Sequence, residues 1–176
     1  GWNIKSCEMS KIRKYRLSDN YLRFYLKYIV ANRERILQGK FENSSLFDTM
    51  KWESIMGLQF ENLVIHNSNL LLDALHIPRS DCVFDGPFFQ TRTNKRKGAQ
   101  IDYLIQSRNT LYVCEIKFSR NMIGMGVIED MEKKIETLSV PRLFSCRPIL
   151  IHVGRVREEV IEKDYFDRII DWTNFL

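Results

Sequence analysis

The sequence predicts an α/β domain: helix, three-strand antiparallel meander, helix and strand in a mixed sheet, behind an N-terminal helical extension. Three observations lead there. From Leu22 to Ile77, apolar residues recur at threes and fours, the period of a helix. From Asp81 the period changes to that of strands, with the basic turn NKRKG and a polar turn between them. An amphipathic stretch, GVIEDMEKKIETL, then precedes PILIHV, an apolar run without alternation that suits a strand buried on both faces.

Taken in order, Trp2 to Ser18 has the short alternating character of a strand or wing. Opening on Gly1, it is expected to be the edge of an excised fragment with a domain before it. Ser18 or Asp19 caps a helix with Leu22, Tyr25, Leu26 and Ile29 at helical spacing, which runs to about Gln38 and stops at Gly39. Ser44 or Ser45 opens a second helical region carrying Trp52, Ile55, Met56, Phe60, Leu63 and Val64; Asn67 to Asn69 interrupts it and LLLDALHI extends it toward Pro78. CVF with PFFQTRT, then QIDYLI, then LYVCEIKF make the meander. In the helix that follows, Val127, Met131, Ile135 and Leu138 share one side, and Pro141 closes it. After Arg155, EEVIEK reads as a strand and the residues from about Asp164 as a helix. The boundaries that follow are 1–17 for the end of a preceding region, 18–47 for a helical connector and 48–176 for the main domain.

Composition bounds the function. A chain of 176 residues, 44% hydrophobic and 28% charged, is long enough for one well-buried core. Its longest apolar stretches, YLRFYLKYIV and SNLLLDALHI, are broken well short of the ~18 residues a membrane span needs, so a cytoplasmic protein without membrane contact is expected. Cys7, Cys82, Cys114 and Cys146 lack any Cys-x-x-Cys pairing, so neither a zinc site nor a disulfide framework is signalled, and each is expected to be a small buried hydrophobe. The net charge of +5 permits contact with nucleic acid or an acidic partner without requiring it.

The chemistry concentrates between Gly98 and Ser119. A turn over Ser107 to Thr110 sets Gln106 against Leu111, Leu104 against Val113, and Asp102 against Glu115. Two carboxylates opposed on one sheet face repel unless a cation lies between them. Magnesium, held by one or two carboxylates with water and phosphate, suits that place. Lys117 returns to the same face two residues beyond Glu115, where it can orient a nucleophile and counter developing charge. The plainer alternative is a cross-strand ion pair facing solvent. Glu-x-Lys recurs at Glu132 and Lys134, but on a helix surface, where both are expected to be solvated.

These residues resemble the PD-(D/E)XK nuclease superfamily, whose core has the same order of elements. Asp102 matches its first acid, Glu115-Ile116-Lys117 its (D/E)-x-K, and Glu61 in GLQFENLV the acid that many members carry on the preceding helix. The resemblance spans about Trp52 to Val153. Ile101 stands where the family has Pro, and no Gln-x-x-x-Tyr follows the lysine. It implies a restriction-endonuclease-like core and DNA hydrolysis with Mg2+ or Mn2+, with Asp102, Glu115 and Glu61 on the metal and Asp102, Glu115 and Lys117 as the catalytic set. More narrowly, KYRLSDNYLRFYLKYI with GLQFENLV and GAQIDYLI is similar to the C-terminal domain that follows a P-loop ATPase and a winged helix in archaeal-type ATPases. That likeness implies the ATPase domain of the same polypeptide as a partner, with residues up to Leu17 ending the winged helix. No G-x-x-x-x-G-K-[ST] occurs here, so no nucleotide site is expected in this segment. A non-catalytic module that binds DNA or self-associates as a homo-oligomer is the second implied function.

Arg92, Lys95, Arg96 and Lys97 precede the strand of Asp102 and suit either a nucleic-acid backbone or a solvated hairpin tip. Lys11, Arg13, Lys14 and Arg16 suit a solvated edge better than a DNA contact. His66, His76 and His152 lack ligand spacing and are expected to be buried and hydrogen-bonded. Tyr21, Phe24, Tyr25 and Tyr28 are expected to pack in a core or between domains.

Overall fold

The computed structural model describes residues 1–9, 17–41, 52–94 and 97–175. The chain opens with a small hairpin, β1 (Trp2–Asn3) and β2 (Glu8–Met9). The expected first helix follows, as α1 (Asn20–Phe24), a π-helical turn (Tyr25–Ile29), a 3-10 turn (Val30–Asn32) and α2 (Arg33–Leu37). Asp19 is its cap, accepting from the Leu22 N–H at 2.6 Å, and Gly39 at φ 65 takes the left-handed conformation that ends it. Helix α3 (Trp52–His66) and helix α4 (Ser68–Ala74) meet at Asn67, as the NSN break predicts. The start near Ser44 or Ser45 and the basic residues Lys11, Arg13, Lys14 and Arg16 lie outside the described residues.

Five strands form the sheet: β3 (Cys82–Gln90), β4 (Ala99–Ser107), β5 (Thr110–Phe118), β6 (Ser145–Val153) and β7 (Arg168–Asp171), in the order β3-β4-β5-β6-β7. The first three pair antiparallel; β6 joins β5 in parallel after the crossover helix α5 (Gly126–Thr137), and β7 joins β6 in parallel. Helix, meander, helix and parallel strand is the order of elements that the sequence predicts.

Two cores sandwich this sheet. Leu104, Leu111, Val113 and Leu150 pack under α5 through Val127, Ile128 and Met131, joined by Trp2 and Ile4. On the other face Tyr103, Ile105, Cys114, Ile149 and Ile151 pack under Phe60, Val64, Leu71 and Leu72 of α3 and α4. Strand β6 therefore feeds both cores, which is why its sequence does not alternate. Each of its buried Leu and Ile side chains contributes about 1.5–3 kcal/mol relative to an exposed one.

Several expectations are corrected. Ser107 and Thr110 pair with each other, so Arg108 and Asn109 alone make the turn, with Arg108 at φ 48; Gln106 faces Leu111 and Leu104 faces Val113 as expected, but the ladder ends at Tyr103 and Cys114, so Asp102 and Glu115 are not a ladder pair. The tail is reversed: EEVIE is a short helix, α6 (Glu158–Glu162), because Val160 is its one fully buried residue, whereas Ile169 and Ile170 extend the sheet as β7. Of the histidines only His152 is buried, its Nδ1 3.1 Å from the Gly154 carbonyl oxygen; His66 and His76 sit exposed at helix ends. Cys7 is exposed while Cys114 is fully buried, and all four thiols are free. Tyr21 and Tyr25 stack on each other but remain exposed on the first helix. Among the described residues, no helix is long and apolar enough to cross a membrane.

Candidate active site

The site begins with an irregularity in the sheet. Gly86 pairs with Leu104 and Phe88 with Ile101, so Asp102 and Tyr103 together face the single residue Pro87. Proline has no N–H to give to the ladder and is tolerated in an edge strand such as β3. A bulge on β4 results. Ile101, Asp102 and Leu104 all look toward the α5 side, and Tyr103 alone joins the opposite core, its hydroxyl donating to Asp85. Bulges of this kind aim side chains and end strand pairing. Pairing of β4 with β5 does stop here: Tyr103 and Cys114 form the last matched pair, and the next N–H, that of Ile116, donates to the Asp102 carboxylate at 3.2 Å.

Glu115 and Lys117 follow Leu111 and Val113 on the α5 face of β5. Glu115 is buried, its side chain 4% exposed, whereas the Lys117 side chain is 36% exposed. Lys117 Nζ lies 3.0 Å from Glu115 Oε1 and 3.8 Å from Asp130 of α5. Asp102, Glu115 and Lys117 are therefore brought together where β4 and β5 part.

Lys134, expected to be solvated, is the residue that sequence reasoning missed. Its Nζ donates to Glu115 Oε2 and lies 3.4 and 3.5 Å from the two Asp102 oxygens. The cation between the opposed carboxylates is thus an ammonium of the chain itself. The signal was in the spacing: Lys134 stands three residues after Met131 and four before Leu138, on the apolar stripe of α5 and not opposite it. Gln90 fixes the helix in place, its Nε2 donating to the Thr137 carbonyl at 2.9 Å and its Oε1 accepting from the Ser139 N–H at 2.8 Å.

The electrostatics follow from burial and crowding. Burial, then the nearby Glu115 charge, pushes the Asp102 carboxyl up from 3.8 to about 6, against the pull of Lys134 and the Ile116 N–H. Burial alone would lower the Lys134 ammonium; Asp102 and Glu115 outweigh it and hold it above its usual value. Glu61, half-buried on α3, adds to the negative field at Asp102. Among the described residues, no three His, Cys, Asp or Glu side chains form a ready-made metal cage.

Arg92 and Lys97 are exposed beside the β3–β4 turn, where Gln90 Nε2 donates to the Lys97 carbonyl at 2.7 Å. Lys97 stands two residues before β4 and five before Asp102. Lys95 and Arg96 lie outside the described residues. On the other side an open groove of about 410 Å3, lined by Lys117, Ser119, Met122, Gly124 and Arg157, begins at the site. Its wall depends on Gly154: at φ 118, a Cβ there would fall 2.3 Å from the Ser119 carbonyl oxygen. A larger groove of about 570 Å3 lies away from the carboxylates, between the β1–β2 hairpin, Phe88 to Thr91 and Ser139 to Pro141.

No family model matches the chain, and neither does any curated protein. Among solved structures, a repair endonuclease from Pyrococcus abyssi is similar to it, with a TM-score of 0.36 and 14% identity over 59% of this chain and 44% of that one. The chain matches less than half of that protein's length.

Proposed function

We propose that this domain hydrolyses phosphodiester bonds in DNA with Mg2+ or Mn2+. The observation that carries the reading is the meeting of Asp102, Glu115 and Lys117 at the fork of β4 and β5. The donor set fits such an ion: hard carboxylate oxygens, two of them already sharing one cation, with Glu61 near enough to act on Asp102. When bound, the ion supplies Lewis-acid stabilisation of the charge that develops on a phosphate. Asp102 and Glu115 would hold it, with Glu61 as an auxiliary ligand.

The chain's own part is positioning. The bulge and the Ile116 N–H keep the Asp102 carboxylate from rotating away. Lys117, its ammonium paired with Glu115 and open to solvent, orients the attacking water and counters negative charge on the phosphate. The groove beyond Lys117 receives the strand, and the basic residues before β4, Arg92 and Lys97 among the described ones, hold its backbone. The reading extends to a partner: a P-loop ATPase domain of the same polypeptide.

A second reading has its own support. Lys134 already compensates both acids, as a purely structural ion cluster would have it, and the first helix exposes Tyr21, Leu22, Tyr25, Leu26 and Leu37. These suit a non-catalytic module that docks on an attached ATPase or on another copy. The deciding experiment incubates labelled single- and double-stranded DNA with the protein in Mg2+ and in Mn2+, beside Asp102→Asn. Cleavage lost in the variant supports the nuclease; equal cleavage by both, or none by either, removes it.

A further inference from the structure

We propose that Lys134 is a tethered cation that competes with a divalent ion for the space between Asp102 and Glu115, so that this one residue sets the affinity of the site for metal. The inference rests on the metal-dependent reading above for its two ligands. Its own support is geometric. A single Nζ reaches both carboxylates, 3.4 and 3.5 Å from the Asp102 oxygens and in direct contact with Glu115 Oε2. An ion about 2.0–2.1 Å from those same oxygens cannot share the space with an ammonium.

The two lysines divide by the oxygen they use. Lys117 takes Glu115 Oε1 and leans toward Asp130, so it keeps its place whichever cation occupies the other side. Lys134 takes Oε2 and Asp102, the oxygens that face each other. Its side chain is a quarter exposed, which gives the flexible stem a way out to water. Because Gln90 holds the end of α5 through Thr137 and Ser139, exchange needs a change of side-chain rotamer and no movement of the helix.

The test titrates Mn2+ into the whole chain by calorimetry, as wild type, Lys134→Met and Lys134→Arg. With no ammonium to expel, Lys134→Met is expected to bind Mn2+ more tightly by about tenfold or more, as the coupling of one close charge pair implies. Lys134→Arg keeps the competing charge and stays at or below wild-type affinity. Since Lys134→Met removes the cation beside Asp102 and one of the two beside Glu115, it is also refolded in Mn2+, where the rise in melting temperature caused by the ion should exceed that of wild type. Affinity unchanged in Lys134→Met, tightened equally in Lys134→Arg, or absent throughout overturns the inference. A parallel DNA cleavage assay separates the two ideas. Tighter Mn2+ binding in a chain that cuts no DNA leaves Lys134 its role and removes the nuclease, whereas cleavage with unchanged Mn2+ affinity in Lys134→Met does the reverse.

Discussion

The Ile116 N–H donates to Asp102 Oδ2 at 3.2 Å, so a side chain makes the rung of the ladder that a backbone carbonyl would otherwise supply. The carboxylate is thereby held at the point where β4 leaves β5, while burial and Glu115 work against its charge.

That charge costs stability. Between pH 3.8 and about 6 the folded chain keeps a proton on Asp102 that the unfolded chain has released, so stability falls as pH rises through this window, with the full cost present above it. Asn cannot ionise and can still accept from Ile116. In EDTA, Asp102→Asn should melt at or above the wild-type temperature at pH 7, and its advantage should vanish by about pH 4. A variant that melts lower throughout would show that the Lys134 pair outweighs the burial.

Lys117 should separate binding from chemistry. Lys117→Met is expected to lower the rate of DNA cleavage roughly a hundredfold to a thousandfold, the usual effect of losing one aimed donor. Mn2+ affinity, measured by calorimetry on the same sample, should change little, because Asp102 and Glu115 remain. A large fall in affinity with an unchanged maximal rate would make Lys117 a support for Glu115 alone.

Gln106 ties the amino-terminal hairpin to the sheet. It is fully buried, accepts from Trp2 Nε1–H at 2.7 Å and donates to the Ile4 carbonyl at 3.0 Å. Gln106→Leu fills the same space but leaves both partners unpaired, and urea denaturation should show a loss of about 2 kcal/mol or more. Hydrogen exchange should quicken first in residues 2–9. If the loss is below about 0.5 kcal/mol, water has replaced the amide.

His152 carries the opposite pH dependence. Burial lowers its pKa below 6.5, outweighing Asp171 and the Gly154 carbonyl, so below pH 6.5 the unfolded chain takes up a proton that the folded chain resists. Its contribution to stability is whole above that pH and is lost as the pH falls. Melting curves from pH 7 to pH 5 should flatten in His152→Gln relative to wild type. Parallel curves for the two proteins would assign the acid sensitivity elsewhere.

Much of the architecture was legible because it depends on spacing. The meander, its register at Leu104 and Val113, the stripe on α5 and the doubly buried β6 all follow from which residues recur at two and which at three and four. The tail was misread because EEVIEK and the segment around Ile169 and Ile170 are too short for either period to declare itself. Pro87 inside a strand was a signal for the bulge beside Asp102, but only pairing with β4 reveals which residues it displaces.

By itself, the sequence determined that acids and a lysine would lie on one face of a hairpin, since alternation along a strand is a local property of the backbone. Tertiary structure alone decided that Lys134 joins them. Which strand a helix residue overlies depends on the length and hand of the crossover and on anchors such as Gln90, and those contacts are made between segments far apart in the chain.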